Sequence, residues 1–402
     1  MFRRMNQITN ASLSRFVTVL MVASWVASVA RLVSGEPAQE IDSRATLWNP
    51  DLKFPAANEI PLLKDVEYRL VHEQIDDYRF LHEPRIASFG NQLFVTFSNA
   101  PRIESEPAQI MRYRSSADGG KTWSDVAALA EKIPGDNERR ETACLLAHEG
   151  RLWAFVGRYA KGSRSSLGME IFRLNEQSEQ NCFEQLTSQL ALPGFVPFVL
   201  PQRLENGNWI VGGHCDQVRQ AAVAISKGND LTQWRLIKID TPSKPDYPET
   251  ALLVSGKDVW AVARNRSDGP ALLAVSNDFG ESFTSALPTN LPMACSKPFA
   301  GTLSTGQKFL IFNAAGSPPR NVLLIAISKP GDMQLSKVWK IIDGSWGTKI
   351  RPLLNQVGDN QSTQEWAYPE AVEAEGKLQV VFSQSKRNCF IATIPLAELV
   401  NP

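Results

Sequence analysis

Residues 247–264 read Tyr-Pro-Glu-Thr-Ala-Leu-Leu-Val-Ser-Gly-Lys-Asp-Val-Trp-Ala-Val-Ala-Arg, and the pattern in this stretch predicts the architecture of the chain. A polar head, Tyr247-Pro248-Glu249, comes first, and a turn around Gly256 separates two apolar runs. Valine, tryptophan and alanine after a Gly/Asp turn are typical of a buried strand, so the stretch predicts a β-hairpin. The hairpin begins with a carboxylate, Glu249, and ends with a guanidinium, Arg264.

The same order of features occurs six times along the chain. Each unit has a head, an apolar run, a turn glycine and a second apolar run, and the turn glycines are Gly90, Gly150, Gly207, Gly256, Gly306 and Gly376. Successive glycines are 60, 57, 49, 50 and 70 residues apart. A period of roughly 40–60 residues made of strands and turns is typical of a propeller. We therefore predict an all-β fold, a six-bladed β-propeller of four-stranded antiparallel blades; the alternative is an all-β protein with coincidental hairpins.

Composition limits the classes of function. The chain has 402 residues, 43% of them hydrophobic, and a formal net charge of zero. A large core is therefore possible, and there is no electrostatic argument for nucleic-acid binding. The five cysteines are widely spaced and contain no Cys-x-x-Cys pair, so neither a zinc site nor any other cofactor is predicted.

The N-terminus has the pattern of a targeting segment. Three arginines, at positions 3, 4 and 15, precede an apolar stretch of 15 residues at 16–30, which is shorter than the roughly 20 residues a spanning helix needs. We expect a signal peptide over residues 1–35 and a secreted or periplasmic protein. A retained membrane anchor is the alternative, and contact with a membrane is expected only in that case. Residues 36–64 are interpreted as a connector and residues 65–402 as the propeller.

The end of the chain predicts how the ring closes. Residues 66–72 alternate as a strand should and precede the first head, whereas the last unit contains only two apolar runs. A closed propeller has to pair its first and last edges, because an open edge invites aggregation. We therefore expect residues around 44–72 to complete the last blade.

Two copies of an eight-residue motif mark turns between strands. Residues 116–123 read Ser-Ala-Asp-Gly-Gly-Lys-Thr-Trp, and residues 276–283 read Ser-Asn-Asp-Phe-Gly-Glu-Ser-Phe. The aspartate is expected to accept hydrogen bonds from backbone N–H groups, the glycine to take a positive φ, and the aromatic residue to pack between strands. A calcium loop is the competing interpretation, but the acidic ladder of an EF-hand is absent.

These motifs resemble the Asp-box of the sialidases (neuraminidases), and the sixfold repeat resembles their six-bladed propeller over roughly residues 65–395. The resemblance implies a glycan as the substrate. Sialic acid carries a carboxylate on its anomeric carbon, which repels a carboxylate nucleophile, and sialidases use a tyrosine instead. That phenol needs a neighbouring base, the substrate carboxylate needs arginine donors, and the leaving oxygen needs an acid.

The resemblance assigns four residues in the order found in the family. Glu249 matches the base, and Arg264, 15 residues later, matches a clamp arginine. Arg320 resembles the next clamp arginine, and Tyr368 resembles the nucleophile.

Two further positions depart from the family pattern. His82-Glu-Pro-Arg85 replaces a Phe/Tyr-Arg-Ile-Pro signature, so either Arg85 completes the clamp or His82 occupies that place. The loop at 99–109 has no aspartate, so Glu104 and Glu106 are the candidate acids. Glu370 is a possible second carboxylate, which together with Glu249 would suit ordinary two-carboxylate glycosidase chemistry on a different sugar.

The resulting hypothesis is a retaining exo-glycosidase that removes a terminal acidic sugar, sialic acid or a related one. Two alternatives stay open. One is a glycosidase or lyase of the same fold that acts on a different glycan. The other is a propeller without catalytic activity that binds carbohydrate or protein on its central face.

Overall fold

The computed structural model describes residues 46–74, 77–135, 137–161, 165–176, 182–215, 219–266, 269–316, 318–345, 350–354 and 364–400. The expected signal peptide at 1–35, the alternative anchor and the first part of the connector lie outside these residues. Within the described ranges, no helix is long and apolar enough to cross a membrane.

Six antiparallel sheets make up the described chain, and we name them blades 1 to 6 in the order of their innermost strands. The first strand of the chain, β1 (Glu67–His72), belongs to blade 6. Blade 1 contains β2 (Phe80–Phe89), β3 (Gln92–Ala100), β4 (Ile110–Ser116) and β5 (Ala127–Ala130). Blade 2 contains β6 (Glu138–His148), β7 (Arg151–Ala160), β8 (Ser166–Asn175), β9 (Cys182–Gln185) and β10 (Leu192–Pro193). Blade 3 contains β11 (Phe195–Pro197), β12 (Gln202–Arg203), β13 (Trp209–Cys215), β14 (Gln220–Lys227) and β15 (Asp230–Lys238).

Blades 4 to 6 follow the same plan. Blade 4 contains β16 (Thr250–Ser255), β17 (Asp258–Ala263), β18 (Pro270–Ser276) and β19 (Leu287–Pro292). Blade 5 contains β20 (Phe299–Thr302), β21 (Gln307–Asn313), β22 (Leu323–Pro330) and β23 (Leu335–Ile342). Blade 6 contains β24 (Trp366–Ala374), β25 (Lys377–Gln384), β26 (Asn388–Pro395) and, at its outer edge, β1. A 3-10 helix (Arg351–Leu353) and a short helix α1 (Leu396–Val400) complete the secondary structure of the described residues.

The sheets form a closed ring, which confirms the predicted propeller. Blades 2 and 3 each have one strand position divided in two, since β9 and β10 both pair with β8, and β11 and β12 both pair with β13. Every blade therefore keeps four strand positions. Strands of neighbouring blades touch around the whole ring: β2 with β6, β7 with β11, β13 with β16, β16 with β20, β20 with β24, and β24 with β2. Apolar side chains fill the space between adjacent blades; the largest such cluster joins blades 4, 5 and 6 and includes Leu253, Phe312 and Phe382.

Part of the N-terminal segment closes the ring, as predicted. Strand β1 pairs with β26 and becomes the outermost strand of blade 6, so the prediction for residues 44–72 is confirmed at Glu67–His72. The residues before β1 bind the edge of blade 5 instead. The N–H of Leu335 donates to the carbonyl of Leu47 at 2.9 Å, and the N–H of Leu63 donates to that of Lys340 at 3.0 Å. The segment therefore covers two blade edges.

The two Asp-box motifs form the same turn in blades 1 and 4. In blade 1, the N–H of Thr122 donates to Asp118 Oδ1 at 2.9 Å and its hydroxyl donates to Asp118 Oδ2 at 2.6 Å. In blade 4, Ser282 donates to Asp278 in the same way, at 3.0 and 2.6 Å. Each motif joins the third and fourth strands of its blade. The predicted structural role of both motifs is confirmed.

The six turn glycines and the six heads lie at opposite ends of the inner strands. All six glycines have a positive φ, between 55° and 91°, which a glycine adopts without a Cβ penalty. Each lies in the connection from the inner strand position to the second strand of its blade, so the polar heads lie at the opposite end of the inner strands. The heads of all six blades therefore approach one another at a single mouth of the central channel.

Three of these heads share an unusual backbone. Glu83, Tyr247 and Tyr368 have φ values of 56°, 54° and 57°, and each is followed by a proline and a charged residue. In blades 1 and 6 the strand pairing is also irregular here, between His82 and Arg85 and between Ala367 and Glu370. A bulge of this kind changes the direction of a side chain. A left-handed residue other than glycine costs about 1–3 kcal/mol, and such strain is concentrated at functional sites.

Candidate active site

A tyrosine and a glutamate from different blades meet at the mouth of the channel. Tyr368, at the start of β24, donates a hydrogen bond from its hydroxyl to Glu249 Oε1 at 2.5 Å. Glu249 immediately precedes β16, so the pair joins blade 6 to blade 4. Tyr368 is 6% exposed and Glu249 is 1% exposed. The contact between the predicted nucleophile and the predicted base is therefore short and shielded from bulk water.

Arg264 holds this pair in position. Its Nη1 donates to both Glu249 oxygens, at 3.0 and 2.9 Å, and to the Tyr368 hydroxyl oxygen at 3.2 Å. Burial alone would lower the pKa of Arg264, but Glu249 and Tyr368 raise it above its ordinary value. The guanidinium is therefore a permanent cation, and it orients the carboxylate towards the phenol.

Tyr368 is a protonated phenol at neutral pH. Burial, followed by the charge of Glu249, raises its pKa well above the ordinary value of 10.0, and the charges of Arg264 and Arg320 oppose this only in part. A phenol with a raised pKa is a poor nucleophile unless a base removes its proton during the attack. Glu249 Oε1 already accepts that hydrogen bond, so the base is in place.

Arg320 lies on another side of Tyr368. Its guanidinium carbon is 5.8 Å from the centre of the Tyr368 ring, and its Nη2 donates to the carbonyl of Cys295 at 3.0 Å. The Nε of Arg264 lies 3.2 Å from Cys295 Sγ. The two predicted clamp arginines therefore converge on Cys295 and flank the hydroxyl-bearing ring.

His82 packs against the same ring. The ring centres of His82 and Tyr368 are 4.1 Å apart, and His82 Nδ1 is 2.7 Å from the hydroxyl of Ser383. Burial, reinforced by the positive charges of Lys386, Arg320 and other neighbours, lowers the pKa of His82 well below 6.5. The imidazole is therefore neutral, and its role as a packing support for Tyr368 follows from its position.

Arg85 and Glu370 come together beneath the site. Arg85 Nε is 3.4 Å from Glu370 Oε2, and Arg85 Nη2 donates to Thr142 Oγ1 at 3.0 Å. Both side chains are fully buried. Lys297 Nζ, also fully buried, lies 3.6 Å from Glu370 Oε2 and donates to the carbonyl of Pro369 at 2.8 Å. The structure thus places Arg85 and Glu370 in an internal ionic layer, separate from the Tyr368–Glu249 pair.

The two candidate acids of the loop after β3 have other partners. Glu106 accepts hydrogen bonds from the N–H groups of Arg102 and Ile103, at 2.9 and 2.6 Å, and so closes the loop. Glu104 accepts from Lys386 Nζ at 2.5 Å, and its side chain is 37% exposed. Neither contact joins these carboxylates to Tyr368.

Sequence analysis overlooked Glu83 and Lys297. Glu83 is 3% exposed and stands at the head of blade 1, between His82 and Arg85. A signal for Glu83 was present, because Glu-Pro-Arg at 83–85 follows the same order as Tyr-Pro-Glu at 247–249 and 368–370. For Lys297 we find no such signal, since its burial depends on residues of other blades.

The fold is similar to those of several known proteins. Residues 196–380 match the BNR repeat-like domain family. The structure of Trypanosoma rangeli sialidase in complex with sialic acid aligns with a TM-score of 0.61 at 13% identity, covering 85% of this chain and 60% of that one. Hadza microbial sialidase Hz136 aligns with a TM-score of 0.60 at 13% identity, covering 81% of this chain and 68% of that one.

A protein of unknown function from Dyadobacter fermentans DSM 18053 aligns with a TM-score of 0.59 at 16% identity, covering 82% of this chain and 99% of that one. The present chain thus spans about 60% of the length of the Trypanosoma rangeli enzyme. No curated protein sequence matches the chain significantly. The chain is a six-bladed propeller with the fold of these sialidases, and its residues 196–380 match the BNR repeat-like domain family.

Proposed function

We propose that this protein is a retaining glycoside hydrolase in which Tyr368 is the nucleophile and Glu249 is its base. One observation carries the proposal: the Tyr368 hydroxyl donates to Glu249 Oε1 at 2.5 Å while Arg264 Nη1 lies 3.2 Å from the same hydroxyl oxygen. The base therefore contacts the proton that it has to remove, and a fixed cation stabilises the negative charge that develops on the phenol.

The reaction follows from these positions in two steps. Tyr368 attacks the anomeric carbon as its proton passes to Glu249, and the bond to the leaving group breaks on the opposite face as an acid protonates the leaving oxygen. Water then displaces the tyrosine oxygen and gives a proton to the conjugate base of that acid, while the tyrosine takes its own proton back from Glu249. Two inversions at one carbon retain its configuration.

The substrate that fits best is a terminal sugar with a carboxylate on its anomeric carbon. A neutral phenol avoids the repulsion that an anionic nucleophile would meet there. Arg264 and Arg320 flank Tyr368, and guanidinium groups bind carboxylates with paired hydrogen bonds. The similarity in fold to Trypanosoma rangeli sialidase in complex with sialic acid supports the same choice.

A second candidate is a glycosidase for a sugar without that carboxylate. The position of Arg85 favours it, because this guanidinium binds Glu370 and Thr142 inside the protein and leaves two arginines beside Tyr368. The charge of Arg264 is in turn balanced by Glu249. A panel of aryl glycosides with acidic and neutral sugars separates the two candidates, since the leading one requires the acidic sugar.

The decisive experiment is hydrolysis of a fluorogenic sialoside by the parent protein and by Glu249→Gln. We expect turnover in the parent and a fall in kcat of about 10²–10⁴-fold in the variant. A fluorinated sialosyl fluoride, which slows breakdown of the covalent intermediate, should label Tyr368, as peptide mass spectrometry would show. Turnover without any label on Tyr368 contradicts the assignment of the nucleophile. Saturable binding of glycans without turnover in the folded parent favours a non-catalytic binding propeller.

A further inference from the structure

The carboxylates at the blade heads and in the loop after β3 differ in how closely a polar partner approaches them. Four of them have a close partner. Glu249 lies 2.9 Å from Arg264, Glu141 lies 2.9 Å from Arg139, Glu104 lies 2.5 Å from Lys386, and Glu106 accepts from two backbone N–H groups.

Among the described residues, no polar partner comes this close to Glu83 Oε2. Its nearest cation is Arg85, with Nη2 3.9 Å from Glu83 Oε2, and that same guanidinium is bound more closely to Glu370 and Thr142. Glu83 Oε2 is buried and makes no hydrogen bond within the described residues. A buried carboxyl oxygen without a partner is costly when ionised, so it favours the protonated form.

The backbone places Glu83 at the head of the blade adjacent to that of the proposed nucleophile. Blades 1 and 6 are neighbours, and Glu83 occupies in blade 1 the position that Tyr368 occupies in blade 6. Both have φ near 57°, both lie in an irregular stretch of strand pairing, and both precede a proline. The preceding residue, His82, packs directly on the Tyr368 ring.

The electrostatic surroundings agree with this geometry. Burial raises the pKa of Glu83 well above its ordinary value of 4.5, and the negative charges of Glu141, Glu104 and Glu249 raise it further. Arg85 opposes this shift only in part. Burial and the neighbouring carboxylates therefore favour the protonated form of Glu83.

We propose that Glu83 is the acid that protonates the leaving group, an inference that rests on the function proposed above. In the first step, the Glu83 proton passes to the glycosidic oxygen as the bond from that oxygen to the anomeric carbon breaks. At the same time, the bond from Tyr368 to that carbon forms and the phenol proton moves to Glu249. In the second step, Glu83 removes a proton from the attacking water and is restored, while Tyr368 leaves and recovers its own proton from Glu249.

The test uses two substrates with the same sugar and different leaving groups. A phenol with a low pKa leaves without protonation, whereas an alkyl alcohol needs the acid. In Glu83→Gln we expect kcat/KM to fall about 10²–10⁴-fold for the alkyl glycoside and less than about tenfold for the activated aryl glycoside. The alkaline limb of the pH profile for the alkyl glycoside should also disappear, because that limb reports loss of the acid's proton.

The outcomes separate this inference from the proposed function. An equal loss on both substrates makes Glu83 a structural residue, and the same selective loss in Glu104→Gln instead makes Glu104 the acid; either result overturns the proposal. A parent that hydrolyses no glycoside of the panel overturns the proposed function, and Glu83 as its acid with it. Thermal unfolding of Glu83→Gln checks that the variant is folded.

A measurement on the resting protein gives an independent answer. Carboxyl-labelled glutamate provides a carbon NMR signal for each side chain, and the signal that is missing in Glu83→Gln belongs to Glu83. We expect this signal to be that of a protonated carboxyl at pH 7. An ionised Glu83 at pH 6 rules out its role as the acid, whatever the activity of the parent.

Discussion

The tripeptide Tyr-Pro-Glu occurs twice in this protein, at 247–249 in blade 4 and at 368–370 in blade 6, and the two copies have opposite uses. Both tyrosines have a left-handed backbone, with φ of 54° and 57°. In blade 4 the glutamate enters the site and Tyr247 lies at its side, with its ring 5.9 Å from the Arg264 guanidinium carbon. In blade 6 the tyrosine enters the site and Glu370 lies in the ionic layer beneath.

The difference arises from the register and from the neighbouring blades. Strand β16 begins at Thr250, so Glu249 precedes the strand and meets Arg264 at the end of the adjacent strand. Strand β24 begins earlier, at Trp366, so Glu370 lies within the strand, between Lys297 of blade 5 and Arg85 of blade 1. In the proposed mechanism, one short motif thus supplies a base in blade 4 and a nucleophile in blade 6.

The largest effect that we expect is a difference in kcat between variants of the two tyrosines. Tyr368→Phe should lower kcat on the order of 10³-fold or more, because the phenylalanine has no oxygen to attack the anomeric carbon. Tyr247→Phe keeps the ring beside Arg264 and should change kcat only a few-fold. Kinetics of both variants on the same fluorogenic glycoside measure the contrast. Equal losses would show that the two copies are not specialised in this way.

The next effect concerns stability and separates the two glutamates. Glu370→Gln should destabilise the fold by about 3–5 kcal/mol, because it leaves Arg85 and Lys297 buried without their carboxylate. Glu249→Gln should cost less, since Arg264 is 12% exposed and retains contact with water. Urea unfolding of both variants gives the comparison. A smaller loss in Glu370→Gln than in Glu249→Gln contradicts the ionic layer as a stabilising element.

The smallest effect is a pH dependence of the layer beneath blade 6. Burial lowers the pKa of Lys297 from 10.5 to about 7, so between these values the unfolded chain holds a proton that the folded chain lacks. Raising the pH through this window therefore increases the stability contributed by Lys297, by at most about 1.4 kcal/mol per pH unit. Below pH 7 the lysine is charged in both states and this contribution stays constant.

Lys297→Met tests that dependence. The methionine is nearly the same length and cannot titrate, so the variant should gain on the parent at pH 7 and lose part of that advantage at pH 9. The quantity to measure is the difference in unfolding free energy between the two proteins at both pH values, in which the other titrating groups cancel. A difference that does not change with pH means that Lys297 holds its proton equally in both states.

The sequence predicted much of the fold because the relevant physics is local. Gly256 and the other turn glycines occupy positive φ values, and Asp118 and Asp278 accept the hydrogen bonds of their turns, as their neighbours in sequence imply. The closing strand β1 was predictable because an unpaired edge has to be covered. Residues 46–64 could not be assigned to blade 5 in advance, since their partners lie nearly 300 residues away.

The candidate site was predictable only in part. The sequence indicated Glu249, Arg264, Arg320 and Tyr368, and the structure brings these four together. The sequence also indicated Arg85 at a blade head. The partner of that guanidinium, Glu370, belongs to another blade. The order Glu-Pro-Arg marked the position of Glu83, but a sequence gives no sign of whether a cation will lie beside a carboxyl group.

The sequence alone therefore determined which polar groups the chain contains and in what order. These are the six heads, the two Tyr-Pro-Glu copies and the arginines that follow them. Only folding brings these groups together, and burial and charges from other blades then raise the pKa of Tyr368 and of Glu83. The raised pKa values of Tyr368 and Glu83 and the ionic layer around Glu370 all depend on neighbours that are far apart along the chain. The proposed chemistry depends on the closed ring, since Tyr368 of blade 6 donates its hydrogen bond to Glu249 of blade 4.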